Sequence, residues 1–118
     1  MESQRQQKFG RLIQKELADI LQKEGWGMFN GNMITITKVR MTPDLLIART
    51  YLSIFGNDKK QQTVDLLSEK KGEIRYKLGQ RIRKDVKAIP DLEFFLDDSL
   101  DYADKIDKLF DDIKKEED

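Results

Sequence analysis

The sequence has no cysteine and no histidine in 118 residues, two prolines, and a single tryptophan. Without cysteine there is no disulfide, no thiolate zinc site and no cysteine nucleophile. Without histidine the commonest general base and metal ligand is missing. Most enzyme mechanisms therefore have no machinery here, and neither catalysis nor a cofactor or metal is expected. No run approaches the ~18 apolar residues of a membrane span. The first eight residues, MESQRQQK, are too polar for a signal peptide. The expectation is a soluble cytoplasmic protein. An excess of one charge is missing too, since 22 Lys+Arg face 22 Asp+Glu.

What is present suffices for a fold. A chain of this length fits one domain and should bury about 65% of its unfolded surface. The neutral total hides a dipole. Residues 70–87 carry eight basic side chains against Glu73 and Asp85, net +6, whereas residues 97–118 carry ten acidic against four basic, net −6. Such asymmetry signals a partner where net charge is silent.

Phe9, Leu12, Ile13, Leu17, Ile20 and Leu21 recur at helical spacing, which predicts an amphipathic helix over about residues 4–23. Gly25-Trp26-Gly27 stops it, and Asn30-Gly31-Asn32 is a second turn signal. Residues 33–41 alternate as a strand with Ile34 and Ile36 on one face. The apolar phase then moves to Val39 and Met41, which predicts a bulge or strong twist near Thr37-Lys38. A turn at Thr42-Pro43-Asp44 leads into a longer strand over 45–55, making an antiparallel hairpin. Asn57 or Asp58 caps the next helix, which buries Val64, Leu66 and Leu67. The rhythm resumes at Ile74, Leu78 and Ile82 after Lys70-Lys71-Gly72. Glycine costs about 1 kcal/mol inside a helix, so Gly72 argues for a kink or a break there. Pro90 ends this second half. Leu92, Phe94 and Leu96 alternate as a third strand, and Asp98 or Ser99 caps a last helix with Tyr102, Ile106, Leu109, Phe110 and Ile113 on one face. The second and third strands, joined by a two-helix crossover, are expected to be parallel and right-handed. The result is an α+β domain over residues 1–113, with a small mixed three-stranded sheet and a short, frayed acidic tail at 114–118.

Pro43-Asp44-Leu45, then Ala48-Arg49-Thr50-Tyr51-Leu52, then Gly72-Glu73-Ile74-Arg75, then Ile89-Pro90-Asp91-Leu92-Glu93-Phe94-Phe95-Leu96-Asp97 follow one another in order. Together they resemble the bacterial ribosome-binding factor A family from about residue 4 to 110. The resemblance implies a type II KH-like fold, binding to the free small ribosomal subunit and its RNA, and help in late maturation and rRNA processing. A monomer with no membrane partner and no small-molecule substrate is expected. The family kinks its paired helices at Ala-x-Gly, and here Lys70-Lys71-Gly72 stands at that place, a lysine replacing the alanine.

The basic cluster is the strongest functional feature. Lys77, Arg81 and Lys84 stand at i, i+4 and i+7 beside the Ile74/Leu78/Ile82 stripe, where they can neutralise phosphates, and Lys70, Lys71 and Arg75 extend the cluster. The plainer reading is a solvated helix face. Lys8, Arg11 and Lys15 form a second stripe on the first helix, with Glu16 and Asp19 close by. If both helices pack on one sheet face, the two stripes border a single groove. No Gly-x-x-Gly lies between helices, so shape and phosphate contacts are expected rather than base-by-base reading in the KH manner. Trp26 and Phe29 are expected to close one end of the core rather than stack on a base, and Tyr51 and Phe95 to pack along their strands. Asp97, Asp98 and Asp101 match no calcium loop; Asp98 or Ser99 reads as a helix cap, with Asp101 favoured by the helix dipole. The acidic last helix is expected to pack away from the basic stripes. Two functions stand: an RNA-binding assembly factor for the small ribosomal subunit, and a protein-interaction adaptor that uses its basic and acidic helices without RNA contact.

Overall fold

The computed structural model describes residues 2–29, 31–56 and 59–97. Its elements run α1 (Gln4–Lys23), β1 (Met28–Phe29), β2 (Asn32–Met41), β3 (Ile47–Phe55), α2 (Lys60–Glu69), α3 (Lys71–Ile82) and β4 (Asp91–Leu96). Ser3 starts α1 with a capping box: its hydroxyl accepts from the Gln6 N–H at 3.1 Å, and the Gln6 side chain accepts from the Ser3 N–H at 2.8 Å. The same Gln6 donates to the Met41 carbonyl at 3.0 Å, which fixes the helix start against the end of β2. One turn on, Gly10 lies so close to β2 that a Cβ would meet the Val39 carbonyl oxygen at 2.8 Å. The missing side chain lets helix and strand touch backbone to backbone.

The sheet order is β1-β2-β3-β4, antiparallel as far as β3 and parallel between β3 and β4. The three expected strands are present with the expected directions. The Gly/Asn-rich segment expected to be all loop contributes a two-residue fourth strand, because the chain turns at Gly31 (φ 77°) and lays Met28 opposite Met33. The expected bulge is at Thr37, where the β2–β3 register slips between Ile36 and Lys38. In the turn before β3, Asp44 accepts from the Thr42 hydroxyl at 2.6 Å and the Leu46 N–H at 3.0 Å, while Leu45 takes the left-handed φ of 62°.

Alternation along β3 turns Ala48, Thr50, Leu52 and Ile54 toward the helices and leaves Arg49, Tyr51, Ser53 and Phe55 on the other face. Ile13 and Leu17 of α1, Leu67 of α2, Ile74, Leu78 and Ile82 of α3, and Leu92 of β4 complete the core at 0–1% exposure. Each such side chain contributes roughly 1.5–3 kcal/mol by leaving water. Asn32 is buried at the start of β2 and donates to the Thr63 hydroxyl of α2 at 2.8 Å, tying hairpin to crossover.

Three sequence expectations change. The helix break lies at Lys70 (φ −90°, ψ 4°), which ends α2 and begins α3. Gly72 is not its cause: it sits in the first turn of α3 with no atom within 4 Å of a Cβ built there. The crossover's second helix ends at Ile82 rather than running on to Pro90. The segment after it folds back along α3, because Arg75 donates to the Ile89 carbonyl at 3.0 Å and to the Pro90 carbonyl at 3.1 Å. Gly79 makes room for it, as a Cβ there would meet Ile89 at 3.4 Å. The helix cap falls at Lys59, with Asn57 and Asp58 outside the described residues. The caps at Asp98 and Ser99, the last helix and the tail also lie outside them.

Candidate nucleic-acid interface

With Ile74, Leu78 and Ile82 turned inward, α3 has two flanks. One faces α1. There Lys77 Nζ lies 2.9 Å from Glu24 Oε1, and Arg81 Nη1 lies 2.5 Å from Asp19 Oδ2 and 3.3 Å from Glu16 Oε2. The hydrogen bond from Arg81, with a second from Lys23, holds the Asp19 carboxyl below its ordinary value, and Asp19 in turn raises Arg81. Two of the three cations expected to form a phosphate stripe thus clamp one helix to another. The single groove expected between the two basic stripes is instead a seam closed by ion pairs.

The opposite flank is open. Gly72, Arg75, Tyr76, Gly79, Gln80, Arg83 and Ile89 line a shallow groove of about 530 Å³. Among the described residues the Arg75 guanidinium is held by carbonyls alone, which orient its charge without neutralising it. Tyr76 is 67% exposed, and its hydroxyl accepts from Gln80 at 3.3 Å. Arg83 in the groove, and Lys70, Lys84 and Lys87 outside its lining, are exposed, and Lys71 is half-buried; none has a carboxylate partner among the described residues. Such a surface offers guanidinium and ammonium donors to phosphate oxygens and a free ring to a base.

Lys8, Arg11 and Lys15 lie together on the outward side of α1, all exposed and without carboxylate partners among the described residues. They form a second cationic surface, separated from the groove by the closed seam. Sequence reasoning missed Tyr76, Gln80 and Arg83 as site residues. The repeat Gly72/Gly79 and Tyr76/Arg83, each at i and i+7, was the available signal for a second functional face. Trp26 and Phe29 pack against the core. Tyr51 and Phe95 stack with ring centroids 5.5 Å apart on the sheet face away from the helices. Asp97 accepts from the Thr37 hydroxyl at 2.5 Å, while Asp98 and Asp101 lie outside the described residues, among which no acidic cluster is placed to hold a metal. No helix among them is long and apolar enough to cross a membrane.

Helices on one face of a mixed sheet, in the order α-β-β-β-α-α-β with the two-residue β1 added to an α-β-β-α-α-β frame around a broken helix pair, define a type II KH-like domain. The family model of ribosome-binding factor A matches residues 5–110, and the chain belongs to that family. A ribosome-binding factor A of Cytophaga hutchinsonii is 47% identical over 120 residues, which cover 99% of this chain and 90% of the relative. The crystal structure of a Thermus thermophilus ribosome-binding factor A agrees with a TM-score of 0.65 at 20% identity, covering 77% of this chain and 94% of the other. A homology model of a Thermus thermophilus factor, fitted into the electron-microscopy map of its 30S complex, agrees at 0.60 and 20% identity over 75% of this chain and 91% of that one.

Proposed function

We propose that this chain binds the free small ribosomal subunit through its ribosomal RNA and, without catalysing a reaction, assists late maturation and rRNA processing as a cytoplasmic monomer. The observation that carries this reading is the open flank of α3, where Arg75 and Arg83 line a groove with the exposed Tyr76 and find no carboxylate among the described residues. Family membership and the 30S complex of the Thermus relative support it. Lys70 and Lys71 extend the cationic surface at the helix break, and Lys8, Arg11 and Lys15 add a second contact. Lys77 and Arg81 act indirectly, by holding α1 against α3 so that both surfaces keep a fixed relation. Phosphate contacts release counterions, so affinity should fall steeply as salt rises. Cosedimentation with isolated small subunits at about 50 and about 200 mM salt tests this. A large loss at high salt is expected; equal binding at both would indicate a protein-only adaptor.

A further inference from the structure

The sheet face opposite the helices is ordered in rows by strand register. Arg40 stands opposite Arg49, with Glu93 next to Arg49 on β4. In the next row Lys38 stands opposite Tyr51, with Phe95 beyond it. Two features here bear on a ligand. Like charges directly opposed across antiparallel strands repel, yet Arg40 has no carboxylate partner among the described residues and Arg49 only a loose one, Glu93 at 3.6 Å. The second feature is a column. Lys38 Nζ lies 4.8 Å from the Tyr51 ring centroid, and the Tyr51 and Phe95 rings stack 29° from parallel. Tyr51 is thereby contacted by Lys38 and Phe95, and among the described residues Phe95, on the edge strand and 39% exposed, leaves the column open at one end.

A base added to that end would continue the stack, as bases do on aromatic side chains irrespective of sequence. The arginine row lies two residues along the strands, about 7 Å away, within reach of the same nucleotide's phosphate. A hollow of about 330 Å³ lined by Arg40, Arg49, Tyr51, Pro43, Gln6 and Glu2 adjoins it. With Glu2 and Glu93 bordering the arginines, the field is only weakly positive. It suits one or two nucleotides held mainly by stacking and not a duplex backbone, which needs many cations. We infer that this open sheet face binds a single-stranded RNA segment, with a base on Phe95 and a phosphate between Arg40 and Arg49. The inference rests on ribosomal RNA being the partner and adds a second surface, across the sheet from the α3 groove.

The probe is a fluorescein-labelled octamer of uridine, titrated with the full chain and followed by anisotropy at low salt. Phe95→Leu keeps an apolar side chain without the ring and should weaken binding about tenfold. The pair Arg40→Gln and Arg49→Gln should do the same while raising the melting temperature, since it removes a repulsion. A merely structural role for the arginines predicts a fall in melting temperature. Arg83→Gln with Lys84→Gln should weaken subunit cosedimentation while leaving the loss of octamer affinity caused by Phe95→Leu in place. An octamer that fails to bind, or binds wild type and Phe95→Leu equally, overturns the inference even if cosedimentation remains salt-sensitive. Salt-independent cosedimentation would instead overturn the ribosomal RNA reading itself.

Discussion

The two flanks of α3 carry the same kinds of side chain and do opposite things. Lys77 and Arg81 meet Glu24, Glu16 and Asp19 of α1 and become part of the scaffold. Arg75 and Arg83, turned the other way, meet carbonyls or solvent and find no carboxylate among the described residues. A cation's availability is set by the neighbouring element and not by the density of cations along the chain. A net charge of +6 over 18 residues describes both flanks equally well and distinguishes neither.

The most drastic way to break the contrast is to move α1. Gly10→Ala forces a methyl group to within 2.8 Å of the Val39 carbonyl, where backbone must shift. Stability should fall by about 1–3 kcal/mol, measured by urea denaturation, and the ion pairs of the closed flank should loosen with it. Next in size is the exchange of charges. Replacing Arg83, Lys84 and Lys87 by Gln should lower the slope of log K against log salt by roughly two to three in subunit binding, at unchanged melting temperature. Replacing Lys77 and Arg81 by Gln should lower the melting temperature and change the slope by less than one. The reverse pattern would exchange the roles of the two flanks.

A gentler test uses pH. Asp19 has its carboxyl held below the ordinary value by Arg81, so its folded form releases the proton more readily than the unfolded chain does. Its contribution is fully present above the unfolded value of about 3.8 and is lost as pH falls through the lower folded one. The melting-temperature difference between wild type and Asp19→Asn should therefore be constant from about pH 8 to 5 and shrink below about 4. The smallest effect is at the helix break. Because Gly72 is helical with open space around it, Gly72→Ala should raise stability by about 0.5–1 kcal/mol. A loss would mean that the break depends on glycine after all.

Much of the fold was legible because burial imposes periodicity. The α1 stripe, the Ile74/Leu78/Ile82 stripe and the β2 phase change each left a pattern that survives folding intact. The two-residue β1 was not legible, since Met28 and Phe29 are too few to show alternation. Nor was the end of α3: Val86 continues the helical spacing from Ile82, and the fold-back is favoured by contacts remote in the chain, Arg75 to the Ile89 and Pro90 carbonyls and Ile89 against Gly79. For the candidate site, the sequence showed that the helix now seen as α3 carries the cations. It could not separate the flanks, because ion pairs between Lys77 and Glu24, or Arg81 and Asp19, link positions remote in the chain and leave no local trace.

The parallel pairing of β3 with β4 also bears on how the domain assembles. Helix α1 and the β2–β3 hairpin can form from near neighbours in the chain, but Ile47 finds Asp91 only after the whole two-helix crossover has turned back. Closing that loop costs chain entropy before its contacts return anything, and distant pairings of this kind slow folding. During synthesis the inner strand β3 therefore waits for its second neighbour until β4 has emerged, and among the described strands the last one made is the one that covers that edge.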